Sequence, residues 1–197
     1  PTQISVTQVE RLVRDPYAIY AEKILGLRPL PQLGRFAGAR DRGISFHMVF
    51  EQFIDEIASD VPGNAAEILM DTAERVLAAQ TPWKTERRMW LGRLGRVAES
   101  FVAQERQRRE IASPHLREVS AQLRLSELAR DIRLVCKADR IDCDADGAIA
   151  IYDYKSSLPS DKQVRLFSKQ LHLEANLAIK GGFADLGRAR TKHMELI

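Results

Sequence analysis

The chain has 197 residues, 45% hydrophobic and 29% charged, a composition that suits one soluble globular domain with a sizeable core. Its 30 Lys and Arg against 27 Asp and Glu leave a net charge of +3, which permits a nucleic-acid partner without demanding one. Cys136 and Cys143 form no CxxC pair, which argues against a disulfide framework or a zinc knuckle built by this chain alone and favours a reducing, cytoplasmic setting; no apolar run approaches a membrane span.

The opening Pro1-Thr2-Gln3 has neither an initiator Met nor a signal-peptide pattern, so the chain reads as a segment of something longer. Thr7-Gln8-Val9-Glu10 has capping-box spacing and opens a short helix that Asp15-Pro16 interrupts; Tyr17 to Leu25 resumes it. Pro29, Pro31, Gly34 and Gly38 mark a long loop. Gly43 to Ile57 carries Ile44, Phe46, Val49, Phe50, Phe53 and Ile54 at helical spacing, with His47 and Glu51 one turn apart on its flank. A third helix covers about Ala65 to Ala79, and a long arginine-rich one runs from about Pro82 to Glu110.

From Leu116 the period changes. Val119, Ala121, Leu123 and Leu125 alternate, then Ile132, Leu134, Cys136 and Ala138, a hairpin around Ala129-Arg130-Asp131. Asp144-Ala145-Asp146-Gly147 turns into a third strand, Ala148 to Lys155, which completes a meander that Leu158-Pro159-Ser160 ends. Val164 to Ala184 is helical up to Gly181-Gly182, and Met194 to Ile197 reads as a truncated strand. The chain therefore divides into a mainly helical part (1–115), a meander carrying acids (116–157) and a helix with a possible strand (158–197), all in one domain.

Alternation on the third strand points Asp153 and Lys155 the same way, and an antiparallel return brings Asp139 toward Asp153. Two carboxylates so placed can share a hard cation, with a lysine beside them to bond an attacking water and neutralise a phosphate. Surface acid–lysine pairs mostly do nothing of the kind. The ordered set Gly43-x-x-x-His47-x-x-x-Glu51, Asp139-Arg140-Ile141-Asp142, Asp153-Tyr154-Lys155-Ser156-Ser157 and Gln170-Leu171-His172-Leu173-Glu174 is what makes the pattern specific.

With these residues the chain resembles the RecB-like branch of the PD-(D/E)XK nuclease superfamily, and more closely the C-terminal nuclease domain of AddB-type subunits of the AddAB helicase-nuclease, over nearly its whole length. The resemblance implies an α/β (α+β) restriction-endonuclease-like fold, with a central mixed sheet begun by the antiparallel meander and flanked by helices. It also implies Mg2+-dependent hydrolysis of DNA phosphodiesters, with Mn2+ as an alternative ion. The substrate would be single strands unwound from double-strand-break ends for recombination, and the partner the AddA helicase.

It makes Asp139 and Asp153 the principal ligands, Lys155 the catalytic lysine, His47 an auxiliary ligand and Gln170 the residue that positions DNA or the lysine. Asp142 is the alternative to Asp139, Glu51 an auxiliary group acting through water or by orienting neighbours, and Ser156 and Arg140 phosphate contacts. Three positions depart from the family pattern: Cys136 replaces the glycine three residues before Asp139, Glu174 stands near the aromatic that often follows the glutamine, and Asp15 replaces the first cysteine of an iron–sulfur set, so no such cluster is expected. Glu118 reads as a solvent-facing strand acid outside the site, and Tyr152 and Tyr154 as packing residues. The competing readings are a module that binds single-stranded DNA or docks a helicase without cutting, and a stand-alone endonuclease.

Overall fold

The computed structural model describes residues 2–30, 37–57, 60–128, 131–155 and 169–197. Its elements are β1 (Gln3–Ser5), α1 (Val6–Arg14), α2 (Pro16–Lys23), α3 (Ala39–Glu56), α4 (Ala65–Gln80), α5 (Lys84–Gly95), α6 (Ala98–Ile111), β2 (Ser113–Leu125), β3 (Ile132–Cys143), β4 (Ile149–Asp153), α7 (Gln170–Ile179) and β5 (Thr191–Leu196). Parts of several sequence readings lie outside the described residues: Pro31 and Gly34, Ala129-Arg130, Ser156-Ser157, Leu158-Pro159-Ser160 and the start of the last helix at Val164.

Among the described residues the sheet has 5 strands and is mixed, as expected from the meander. β2 and β4 flank β3 antiparallel, whereas β1 runs parallel to β3 and β5 parallel to β4. Two cores hold it. Ala121, Leu134, Ala138, Ile141, Ile149 and Ile151 pack with Leu177 and Ala178 of α7 and with Val6. Val49, Phe53, Leu69, Val76, Leu94, Phe101 and Val102 join α3, α4, α5 and α6, with Tyr154 inserted among them. Tyr154 stacks on Phe50, with ring centroids 4.9 Å apart, and Tyr152 is fully buried, so both tyrosines pack as the alternation implies.

Three elements differ from the sequence reading. The capping box at the chain start is Ser5 with Gln8, two residues earlier than expected, because Ser5 ends β1 in an extended conformation and its hydroxyl accepts from Gln8 N. The arginine-rich helix is two helices: Gly92 and Gly95 weaken it, and the chain turns at Arg96-Val97. The final strand starts earlier than read, running Thr191–Leu196 beside β4. Other signals match: Asp144 Oδ1 accepts from Asp146 N and Ala148 N in the turn closed by Gly147, and Gly181 ends α7 with φ +76°.

Arg140 has no exposed side chain and forks onto two carboxylates, reaching Glu105 of α6 at 2.7 and 3.0 Å and Asp142 at 2.6 Å. Burial favours its neutral form, but the bonds to Asp142 and Glu105 hold the guanidinium charged. Arg108 and Arg109 also turn inward onto Glu105. Arg140→Ala leaves Asp142 buried without its counter-charge, so urea denaturation should register a loss of about 3–5 kcal/mol. A loss below about 1 kcal/mol would mean that the cluster does not hold the sheet to α6.

Candidate active site

β3 and β4 pair from Cys143 opposite Ile149 to Arg140 opposite Tyr152, which brings the next residues, Asp139 and Asp153, to the fork where the strands part. There Asp139 Oδ2 accepts from the backbone N–H of Tyr154 at 2.9 Å, and the Asp153 carboxyl stands near enough for the charge of Asp139 to act on it. Asp153 is buried; Lys155 Nζ lies 2.6 Å from its Oδ2 and also donates to Gln170 Oε1 at 3.2 Å. Gln170 Nε2 donates in turn to Asp153 Oδ1 at 3.3 Å and Glu174 Oε1 at 3.1 Å. One amide thereby joins the lysine, an acid of the fork and a buried acid on α7. A distant residue fixes that amide's helix: Glu10 of α1 accepts from the backbone N–H of Lys169 at 2.5 Å and of Gln170 at 2.7 Å, capping α7 from across the fold.

On the other side of the fork His47 projects from α3. Its Nε2 is 2.7 Å from the carbonyl oxygen of Tyr154, which can only accept, so Nε2 carries the proton. Nδ1 then faces Asp139 Oδ2 at 3.3 Å. The bond to Asp139 raises the imidazole's pKa against the opposing effect of burial. Burial pushes the Asp139 carboxyl up, but His47 and the Tyr154 N–H outweigh it and hold Asp139 below the usual range. Asp153 moves the other way, raised by burial and by Asp139 despite Lys155.

β2 supplies a residue that the sequence reading leaves out. Leu116 and Val119 both pack into the core shared with α7, and so do Ala138 and Ile141 of β3, so each strand skips a beat of its alternation. The residues inside the skip turn the other way: Arg117 pairs with Asp55 of α3, Glu118 joins His47, and Arg140 reaches α6. Glu118 has φ +49°, and among the described residues it is the one non-glycine at positive φ. One oxygen each of Glu118 and Asp139 and one ring nitrogen of His47 lie within 4.8 Å of one another. They line a cleft of about 630 Å³ with Gly43, Glu51 and Lys137. Burial and the charge of Glu118 raise the carboxyl of Glu51, which lines the same cleft.

Imidazole nitrogen with carboxylate oxygens suits a divalent ion such as Mg2+ or Mn2+. Among the described residues no cysteine joins the set, and burial pushes the Cys136 thiol up to about 12. Residues 3–189 match the sequence profile of the PD-(D/E)XK nuclease superfamily. The chain belongs to that superfamily. An uncharacterized protein of Rickettsia conorii is 28% identical over 189 residues, 93% of this chain and 23% of the relative. Uncharacterized proteins of Rickettsia bellii and Rickettsia felis are 27% and 28% identical, each over 93% of this chain and 22% of the relative. The chain thus spans less than a quarter of the length of these relatives.

In this PD-(D/E)XK fold Asp139, Asp153, Lys155, His47 and Gln170 converge, Glu51 lines the adjoining cleft, and Ser156 lies outside the described residues. Arg140 and Asp142 do not join them. Both are fully buried and committed to each other and to Glu105, so Arg140 is not presented to a phosphate nor Asp142 to the fork. Asp15 caps α2 by accepting from Ala18 N at 3.1 Å.

Glu174 is fully buried, and burial lifts its carboxyl from 4.5 to about 8, helped by the charges of Asp153 and Asp139. The folded chain holds this proton through a range in which the unfolded chain has lost it, so the contribution to stability is full below about 4.5 and disappears as pH rises through about 8. Glu174→Gln should therefore gain on the wild type in denaturant midpoint between about pH 5 and about pH 8.5. A constant difference between the two across that range would show that Glu174 does not bind its proton this tightly.

Proposed function

We propose that the chain is a metal-dependent deoxyribonuclease that hydrolyses phosphodiester bonds at the fork between β3 and β4. The observation that carries the reading is the meeting there of Asp139, Asp153 and Lys155 with His47 of α3 and Gln170 of α7. Asp139, Asp153 and His47 would hold the ion; bound there, it supplies positive charge that acidifies the attacking water and offsets charge on the transition state. Lys155, with its side chain 35% exposed and its ammonium steadied by Asp153 and Gln170, reaches toward the phosphate, donates to the nucleophile and balances the charge that grows on the phosphoryl oxygens. His47 holds Asp139 in place from one side and the Tyr154 carbonyl from the other, so the acid does not swing away from the fork.

The motif order GxxxH, Asp139-Arg140-Ile141-Asp142, Asp153-Tyr154-Lys155 and Gln170 supports a finer reading as an AddB-like nuclease domain. It would cut single strands as a helicase, AddA or its equivalent, delivers them from double-strand-break ends for recombinational repair. The greater length of the relatives fits a nuclease domain carried with other domains in one polypeptide.

Labelled single- and double-stranded DNA incubated with the chain and Mg2+ should be cut, single strands preferentially, with cleavage abolished by EDTA. Lys155→Ala should lower the cleavage rate about 10²–10³-fold and Asp153→Ala at least as much. Cutting at wild-type rates by both variants would remove the reaction from this site.

A further inference from the structure

We infer that the bare face of β1, β2 and β3 beside the fork is a docking groove for single-stranded DNA, whose uncharged side chains hold the bases of the strand that runs into the site. The inference deepens the proposed nuclease and rests on that reading for the identity of the strand. Ala121, Leu134 and Cys136 point into the core shared with α7, so alternation turns Ser120, Gln122, Arg133, Val135 and Lys137 to the opposite face. Register sets them side by side: Ser120 lies opposite Lys137 and Gln122 opposite Val135, while β1 adds Gln3 beside Arg133 and Ser5 beside Val135. α3 and α6 meet this face further along, at Arg117, Asp139 and Arg140. Gln3, Ser120, Gln122, Arg133 and Lys137 are exposed.

A cavity of about 780 Å³ is lined by Gln3, Ser5, Ser120, Gln122 and Lys137 of these strands, and it meets the reaction site at two residues. Lys137 also lines the cleft that holds His47 and Asp139, and Gln170, which bonds Asp153 and Lys155, lines the cavity itself. A strand lying in the cavity therefore reaches the fork without a break. The chemistry of the walls selects the ligand. No Asp or Glu is among the described residues that line the cavity, and Lys137 is the single cation among them. Amides and hydroxyls offer donors and acceptors without charge, which suits base edges freed from pairing; a duplex presents phosphates, which such walls do not answer. Cations stand at the two ends instead. Lys137 rests on Glu118 with its side chain 59% exposed. Arg133 is on the same face four residues earlier, about 13 Å along the strand. Arg124 opposite it is taken by Asp131, whereas Arg133 has no ion pair among the described residues. This spacing lets phosphates rest at the ends while bases meet the amides between them.

Fluorescence anisotropy of a labelled DNA single strand of mixed sequence, titrated with the whole chain in EDTA so that nothing is cut, reads the groove directly. The wild type should bind this strand more tightly than the corresponding duplex. Gln122→Glu and Arg133→Glu should each weaken single-strand binding about tenfold or more, while Arg93→Glu, on the exposed side of α5, should change it less than about twofold. Tighter binding of the duplex overturns the proposal, as does wild-type affinity in both groove variants with native circular dichroism, or an equal loss in Arg93→Glu. If Gln122→Glu does not fold, Arg133→Glu decides against Arg93→Glu in the same way. Cleavage in Mg2+ keeps the two readings apart. Single-strand binding that depends on Gln122 and Arg133 in a chain that never cuts DNA keeps this inference and sinks the nuclease; Lys155-dependent cutting with binding indifferent to both groove variants does the reverse.

Discussion

The buried fork of Arg140 onto Glu105 and Asp142 sets where everything at the site can be. A guanidinium with no exposed surface must keep both carboxylates, and keeping Glu105 ties the second half of β3 to α6. Asp139 comes immediately before Arg140. In an unbroken strand it would point away from α3 and α6, toward α7. Because both strands skip a beat at this point, Asp139 turns to the helical side with Arg140 and meets His47 on α3. The same skip in β2 turns Glu118 to the same cleft. One ion cluster at the back and one irregularity in the ladder thus bring residues of four elements to a single fork.

The two acids of that fork are made unlike by what surrounds them. Asp139 answers to a cation-forming ring and a backbone N–H, and is held charged. Asp153 is desolvated against Asp139 and turned to Lys155, which is a weaker answer to its burial, and its proton is held more tightly. Two neighbouring carboxyls are costly to charge together, and the raised Asp153 carboxyl reflects that cost.

Much of the proposed site is legible in the sequence because it is written in short-range geometry. Asp153 and Lys155 share a face by strand alternation, and antiparallel pairing across the tight Asp144 to Gly147 turn carries Asp139 to them. His47 and Gln170 enter through a resemblance in spacing, and Gln170's place depends on Glu10, some 160 residues away, which no local signal announces. Glu118 escapes for a different reason. Read as a regular strand, it faces solvent, and only the paired irregularity turns it inward; a clue existed in the break of the apolar rhythm between Leu116 and Val119. Arg140 and Asp142 are misread because a strand arginine beside acids looks like a phosphate contact until Glu105, 35 residues earlier, is seen to claim it.

The replacement near the glutamine helix follows from the same balance of charge. An aromatic there would fill the space behind Gln170, whereas Glu174 fills it with a second carboxyl that must be neutral to stay buried. Were it charged, three carboxylates would crowd around the one ammonium of Lys155. With its proton kept up to about pH 8, Glu174 offers Gln170 an acceptor without adding to that charge. Gln170, held at its other end by Lys155, then has only one orientation of its amide in which both bonds are made, and that orientation is the one that also donates to Asp153. A buried acid in place of an aromatic therefore fixes the amide that fixes the lysine.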